Sequence, residues 1–193
     1  MRRCKTRLVA ALVVFGICQA AFAQQRPDPA RLIAAQQQAM QKLAFMDGVW
    51  RGQATSTRPS GEKDVITQTE RIGPFLDGSV KVIEGRGYHA DGKPAFNSFG
   101  TISFDPATGL YQLRSHAQGN AGMFVLTPLP DGFSWDIPAG PMILRYTATI
   151  KGAVWQETGE RILPGKEPVR FFEMTLQRIG NTDWPAAGAI GMK

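Results

Sequence analysis

Between residues 50 and 179, apolar and polar positions alternate in one short run after another, the period-two signature of strands with one face buried and the other wet. The runs span 50–57, 64–72, 79–88, 95–105, 110–117, 123–129, 133–137, 142–150, 154–163 and 169–179. Turn signals such as Ala90-Asp91-Gly92, Asp105-Pro106-Ala107-Thr108-Gly109 and Pro130-Asp131-Gly132 separate them. Connections this short join neighbouring strands antiparallel, so the pattern predicts an all-β fold: a single antiparallel up-and-down β-barrel of about ten strands.

The flanks read differently. Asp28-Pro29 is a helix N-cap followed by a first-turn proline, and residues 30–44 are rich in Ala, Gln, Leu and Met, so a short N-terminal helix is expected within 24–46. Its apolar stripe, Leu32, Ile33, Met40, Leu43 and Ala44, is interrupted at residues 36–38 and runs directly into the first strand. That favours a helix lying against one end of the barrel over one that binds a partner. Ahead of it, Arg2, Arg3, Lys5 and Arg7 precede an apolar stretch from Leu8 to Cys18, and Ala21-Phe22-Ala23 fits the small-x-small site of a signal peptidase. Residues 1–23 therefore read as a cleaved signal peptide, too short in its apolar part to be an integral membrane anchor, and the location expected is periplasmic or secreted. Lipidation at Cys18 is the competing idea, disfavoured because Ile17 stands where that processing needs a small residue. The barrel occupies 47–179, and 180–193 is a Gly-, Ala- and Pro-rich tail that Trp184 could tether to it.

Removal of the leader changes the chemistry that remains. Both cysteines, Cys4 and Cys18, leave with it, which excludes disulfides and thiol chemistry from the exported chain. Four of the basic residues behind the net charge of +6 leave as well, so no nucleic-acid surface is expected.

An even number of strands brings the start of the first beside the end of the last. Trp50 and Arg178 should then be neighbours at the base of the barrel, with the guanidinium over the indole as a structural closure. A Gly-x-Trp opening the first strand with an Arg closing the last resembles the calycin superfamily. The fuller pattern, Gly48-Val49-Trp50-Arg51-Gly52, Phe104-Asp105-Pro106-Ala107-Thr108-Gly109-Leu110-Tyr111 and Glu173-Met174-Thr175-Leu176-Gln177-Arg178, resembles a bacterial calycin-like family known as domain of unknown function 1579. The resemblance implies a lipocalin- or nitrobindin-like barrel and brings no activity or catalytic residues with it. Nitrobindins hold haem through a histidine on a late strand, and here the closing strand has none. His89 adjoins a turn and His116 is expected to point outward, so no cofactor is expected; without cysteines or a spaced histidine pair, neither is a metal. No nucleophile elbow, P-loop or dinucleotide fingerprint occurs, and no catalytic residues are assigned.

The candidate site is the upper barrel. If Ala90-Asp91-Gly92 is a three-residue loop with Gly92 left-handed, Val80, Val82, Glu84 and Arg86 face inward and set a carboxylate and a guanidinium near the mouth; a one-residue change of register turns both outward. Phe96, Met123, Met142, Leu144, Phe172 and Met174 are expected to line the same half, suited to a small apolar or amphiphilic partner. Small residues at inferred inward positions, Gly52, Ala54, Ser98 and Gly100, favour a cavity. The function expected is that of an exported barrel binding such a molecule. An enzyme acting on it with Glu84 as acid or base, and a filled barrel with a structural or envelope-interaction role, are the alternatives.

Overall fold

The computed structural model of the protein describes residues 28–184, so the expected signal peptide (1–23), its expected cleavage site and residues 185–193 of the tail lie outside the described residues. A helix α1 (Pro29–Gln41) and a 3-10 turn (Ala44–Met46) precede ten strands: β1 (Gly48–Thr57), β2 (Lys63–Phe75), β3 (Val80–Tyr88), β4 (Pro94–Asp105), β5 (Leu110–Ala117), β6 (Asn120–Leu129), β7 (Gly132–Ala139), β8 (Met142–Lys151), β9 (Val154–Ile162) and β10 (Val169–Gly180). Every strand pairs antiparallel with its neighbours in sequence, and β1 pairs with β10 to close the barrel.

The base is sealed from below. Asp28 caps α1 by accepting the Ala30 N–H at 3.1 Å, and Pro29 opens the first turn. The helix then lays Ala39 and Met40 against the barrel end, while Leu43 and Met46 behind it are completely buried. The glutamines that interrupt its apolar stripe are tied to the barrel: Gln36 Nε2 donates to the Phe104 carbonyl at 3.3 Å and Gln37 Nε2 to that of Asp77 at 2.8 Å. Tyr111 Oη reciprocates by donating to the Ala39 carbonyl at 3.1 Å. Directly above lies a dry layer of Trp50, Ile72, Ile102, Leu126 and Leu176, each 2 % exposed or less. Lys81 is buried in the same region and is satisfied by an ion pair with Asp47.

Closure works through backbone and side chain together. Trp50 is the register partner of Arg178, yet the guanidinium does not stack on the indole as expected from the sequence. Arg178 Nη2 instead donates to the Asp47 carbonyl at 2.8 Å, and its Nε lies 2.7 Å from where a Cβ of Gly48 would stand. Gly48 has φ +148°, so the glycine of the Gly-x-Trp motif serves both the strained entry to β1 and the approach of the arginine. Trp50, freed from the cation, meets Trp155 edge-on at 5.7 Å and donates its indole N–H to the Met46 carbonyl at 2.9 Å.

The wall is continuous except at one seam. The ladder between β6 and β7 comprises only Leu126–Trp135 down to Leu129–Gly132, so the upper parts of both strands have no partner across it. On the outer face, the start of the tail crosses β2. Thr182 and Trp184 pack onto Gly73, Asp183 pairs with Arg71 at 3.3 Å, and Trp184 lies 6.3 Å from Phe99 and 5.8 Å from the Arg71 guanidinium.

Candidate functional site in the upper barrel

Strand register decides which side chains reach the lumen. Phe96, Met142, Leu144, Phe172 and Met174 occupy inward positions, paired with Gly87, Ala139, Ile137, Ser56 and Ala54 respectively. Glu84, Arg86 and Met123 do not. The loop after β3 does have the expected form: the His89 N–H bonds the Lys93 carbonyl and Gly92 has φ +80°. One residue further on, however, Tyr88 pairs with Pro94 whereas Gly87 pairs with Phe96, leaving Ala95 as an extra residue in β4. That bulge is held by Gln118, which donates to the Ala95 carbonyl at 3.2 Å and accepts the Asn97 N–H at 3.0 Å. It shifts the pairing by one and turns every side chain of β3 over. Lys81, Ile83, Gly85 and Gly87 face in, and Glu84 and Arg86 face out, bonded to each other at 2.7 Å. Val80 and Val82 are turned outward with them. Met123 follows the same logic. Gln118 and Gly119, at φ +50° and +81°, form a two-residue turn that pairs Arg114 with Met123, so both point to solvent and Met123 is 58 % exposed. Gly122 and Phe124 take its place inside. His116 pairs with Phe99 and Ala121 and faces outward.

The lumen contains two carboxyls that the sequence reading did not single out. Gln68 and Glu70 share the inward face of β2 with Ile66 and Ile72, and Glu157 shares that of β9 with Trp155, Gly159 and Arg161. Glu70 is 9 % exposed and Glu157 7 %. Gly85 gives Glu70 its niche: a Cβ there would stand 2.7 Å from Glu70 Oε1 and 2.5 Å from Ser98 Oγ. Gln68 Nε2 donates to Glu70 Oε1 at 2.8 Å. Burial pushes the Glu70 carboxyl up to about 8; the Gln68 hydrogen bond opposes the rise, and the charges of Glu157 and Glu84 add to it. Burial likewise pushes Glu157 up to about 8, offset only in part by the indole N–H of Trp155. That N–H is buried and lacks an acceptor in hydrogen-bonding geometry. The neighbouring Tyr146 phenol is pushed up to about 12 by burial and by the Glu157 charge.

Beside Glu157, on β7, β8 and β10, runs an aromatic wall. Trp135 and Tyr146 stack at 4.9 Å with 8° between their planes, and Tyr146 meets Phe172 edge-on at 5.8 Å. Arg161 enters at the rim, lying 4.6 Å over Phe171 and donating to the Thr57 carbonyl at 3.3 Å. Inward side chains of this upper half, including Phe96, Ser98, Ser115, Phe124, Trp135, Leu144, Tyr146 and Phe172, keep accessible surface, whereas their counterparts toward the base are sealed. Such an arrangement can hold an apolar body against the aromatic wall and present two protonated carboxyls to it. Among the described residues, no group of three or more His, Cys, Asp and Glu side chains could hold a metal ion.

No protein-family model matches this chain, and no curated protein matches it. Among solved structures it is similar to the crystal structure of Rv2717c from M. tuberculosis, with a TM-score of 0.56 at 15% sequence identity over 72% of this chain and 96% of that one. At that identity the likeness is one of fold.

Proposed function

We propose that this protein is an exported, calycin-like binding protein that holds one small apolar or amphiphilic molecule in the upper half of its barrel. One observation carries the reading: inward side chains above the dry base are half-buried although they point away from bulk solvent. A barrel that filled itself would bury them as it buries Trp50, Ile72 and Leu176. The β6–β7 seam supports it too, since it offers a way in that does not require the base to open.

Leu144 tests the chamber. Its side chain enters the lumen between Ile137 and Arg161, so Leu144→Trp adds volume there. A chamber absorbs that volume, and Nile red binding is lost with under about 1.5 kcal/mol of destabilisation; a packed interior is destabilised by about 1–3 kcal/mol or more and the wild type binds no dye. Native mass spectrometry of protein purified from its own host, followed by extraction, identifies the occupant. Intact mass tests export: the secreted chain begins at Gln24 without a lipid, and a diacylglycerol adduct at Cys18 overturns the leader assignment.

A second reading, catalysis, draws on the two buried carboxyls, because raised carboxyl pKa values in a cleft suit general acid chemistry near neutral pH. It predicts that the extracted molecule changes mass when returned to the protein.

A further inference from the structure

We propose that the upper barrel selects an organic ammonium ion, its charged nitrogen seated at Glu70 and Glu157 and its hydrocarbon part lying along Trp135, Tyr146 and Phe172. The inference rests on the chamber reading above and names the chemical class that such a chamber accepts.

Three independent features point to a cation. The first is an imbalance of charge within the lumen. Glu70 and Glu157 face it from β2 and β9, and neither forms an ion pair among the described residues. The cations nearest in the fold are committed elsewhere: Lys81 to Asp47 at the base, and Arg161 to Phe171 and the Thr57 carbonyl at the rim. The second is an incomplete hydrogen-bond set. Trp155 is 4 % exposed, its N–H has no partner, and it bears on Glu157, so a donor stands ready for the ionised form of a carboxyl that has no ion to answer. The third is the aromatic wall, whose electron-rich faces attract organic cations, indole most strongly. A carboxylate ligand would be repelled by either acid once ionised, and would find the nearby cations already engaged.

Binding of this kind is linked to protons. The groups facing the acids are Gln68 on β2, Ser98 on β4, Tyr146 on β8 and Trp155 and Arg161 on β9, with Glu84 acting through the wall from β3. The inward positions of β1, β5, β6, β7 and β10 at this height carry no charge. With both carboxyls pushed up to about 8 by burial, the empty chamber holds them protonated at neutral pH. An arriving ammonium ionises at least one: its O–H bond breaks, the proton passes to the buffer, and the carboxylate pairs with the ligand's nitrogen.

Three probes of matched chain length separate the outcomes: decyltrimethylammonium, decanol and decanoate, titrated calorimetrically into the chain at about pH 7 in two buffers of different ionisation enthalpy. The quaternary probe has no proton of its own to release. Decyltrimethylammonium should bind about tenfold or more tighter than decanol, with about one proton released per molecule bound, and decanoate weakest. Glu157→Gln and Glu70→Gln, shown folded by circular dichroism, should abolish that preference and the proton release while leaving decanol affinity within about twofold. Equal binding of the ammonium and the alcohol, unchanged in both variants, overturns the ammonium assignment and leaves the chamber standing. Tightest binding of decanoate overturns it in favour of Arg161. Failure of all three probes to bind removes the chamber and this inference with it.

Discussion

Replacing Glu157 by glutamine should stabilise the protein, and by an amount that grows with pH. Glu157 is held in the folded barrel with its pKa raised by burial from 4.5 to about 8. The folded state therefore keeps a proton that the unfolded chain gives up between those values. Stability rises with pH only where the unfolded state binds more protons; here the folded state binds more, so the contribution is fully present below about pH 4.5 and is lost as pH climbs toward 8. At about 1.4 kcal/mol per pKa unit, one such carboxyl costs about 3 kcal/mol by pH 7 and about 3–5 kcal/mol once the loss is complete. Glutamine has the same shape and does not titrate. Glu157→Gln should match the wild type in urea denaturation at about pH 4, exceed it by about 3 kcal/mol at pH 7, and exceed it further at pH 9. Glu70→Gln should behave alike, retaining a carbonyl to accept from Gln68. The Glu157 charge raises Glu70, so the double variant should gain less than the two singles together. A difference that is the same at all three pH values, or a Glu157→Gln protein less stable than wild type at pH 7, would falsify the burial argument for this residue.

Two further perturbations probe the base. Trp50→Ala, which removes a fully buried indole, its edge contact with Trp155 and its bond to the Met46 carbonyl, should cost about 3–5 kcal/mol; Arg178→Ala should cost less, and a double-mutant cycle should show coupling between these register partners, strictly additive losses arguing against it. Asp47→Ala strands the Lys81 ammonium and should cost about 3–5 kcal/mol, whereas Lys81→Met, leaving a carboxylate that reaches solvent, should cost clearly less by the same denaturation assay; equal costs would mean that the buried charge is not what makes the pair matter.

Strand order, the capped helix and the meeting of Trp50 with Arg178 were legible from period-two alternation and turn chemistry, because those signals are local. Lumen composition was legible only in part, because it depends on parity: Phe96, Met142, Leu144, Phe172 and Met174 face inward as expected, and Glu84, Arg86 and Met123 do not. The three-residue loop at Gly92 has the form its sequence implies, yet one bulged residue, Ala95, reverses the facing of β3 and exchanges Glu84 and Arg86 for Gly85 and Gly87. What holds that bulge is Gln118, distant in sequence, so no local pattern announces it. Met123 faces outward for a nearer reason, the Gln118-Gly119 turn, which a reading of 117–120 as a two-residue hairpin would have caught. The acids were within reach as well. Ile66, Gln68, Glu70 and Ile72 alternate with Thr67, Thr69 and Arg71, and following the face of Ile72 upward leads to Glu70. Polar residues on a face otherwise apolar are the signal that was available.

The β6–β7 seam has a consequence for how the protein behaves in a crowded solution. Closed barrels escape aggregation because they have no free strand edges, and a partly unzipped one gives that protection back. Above Leu126 the exposed edge of β6 reads Ala121-Gly122-Met123-Phe124-Val125, a run with no charge and no proline, with Met123 58 % and Val125 50 % exposed on its outer face. On the opposing edge Pro138 has no N–H to offer an incoming strand. One lip of the opening is therefore guarded against pairing with another chain and the other is not. A charge placed at Val125 should slow self-association at high concentration without touching the lumen, since that side chain faces away from it.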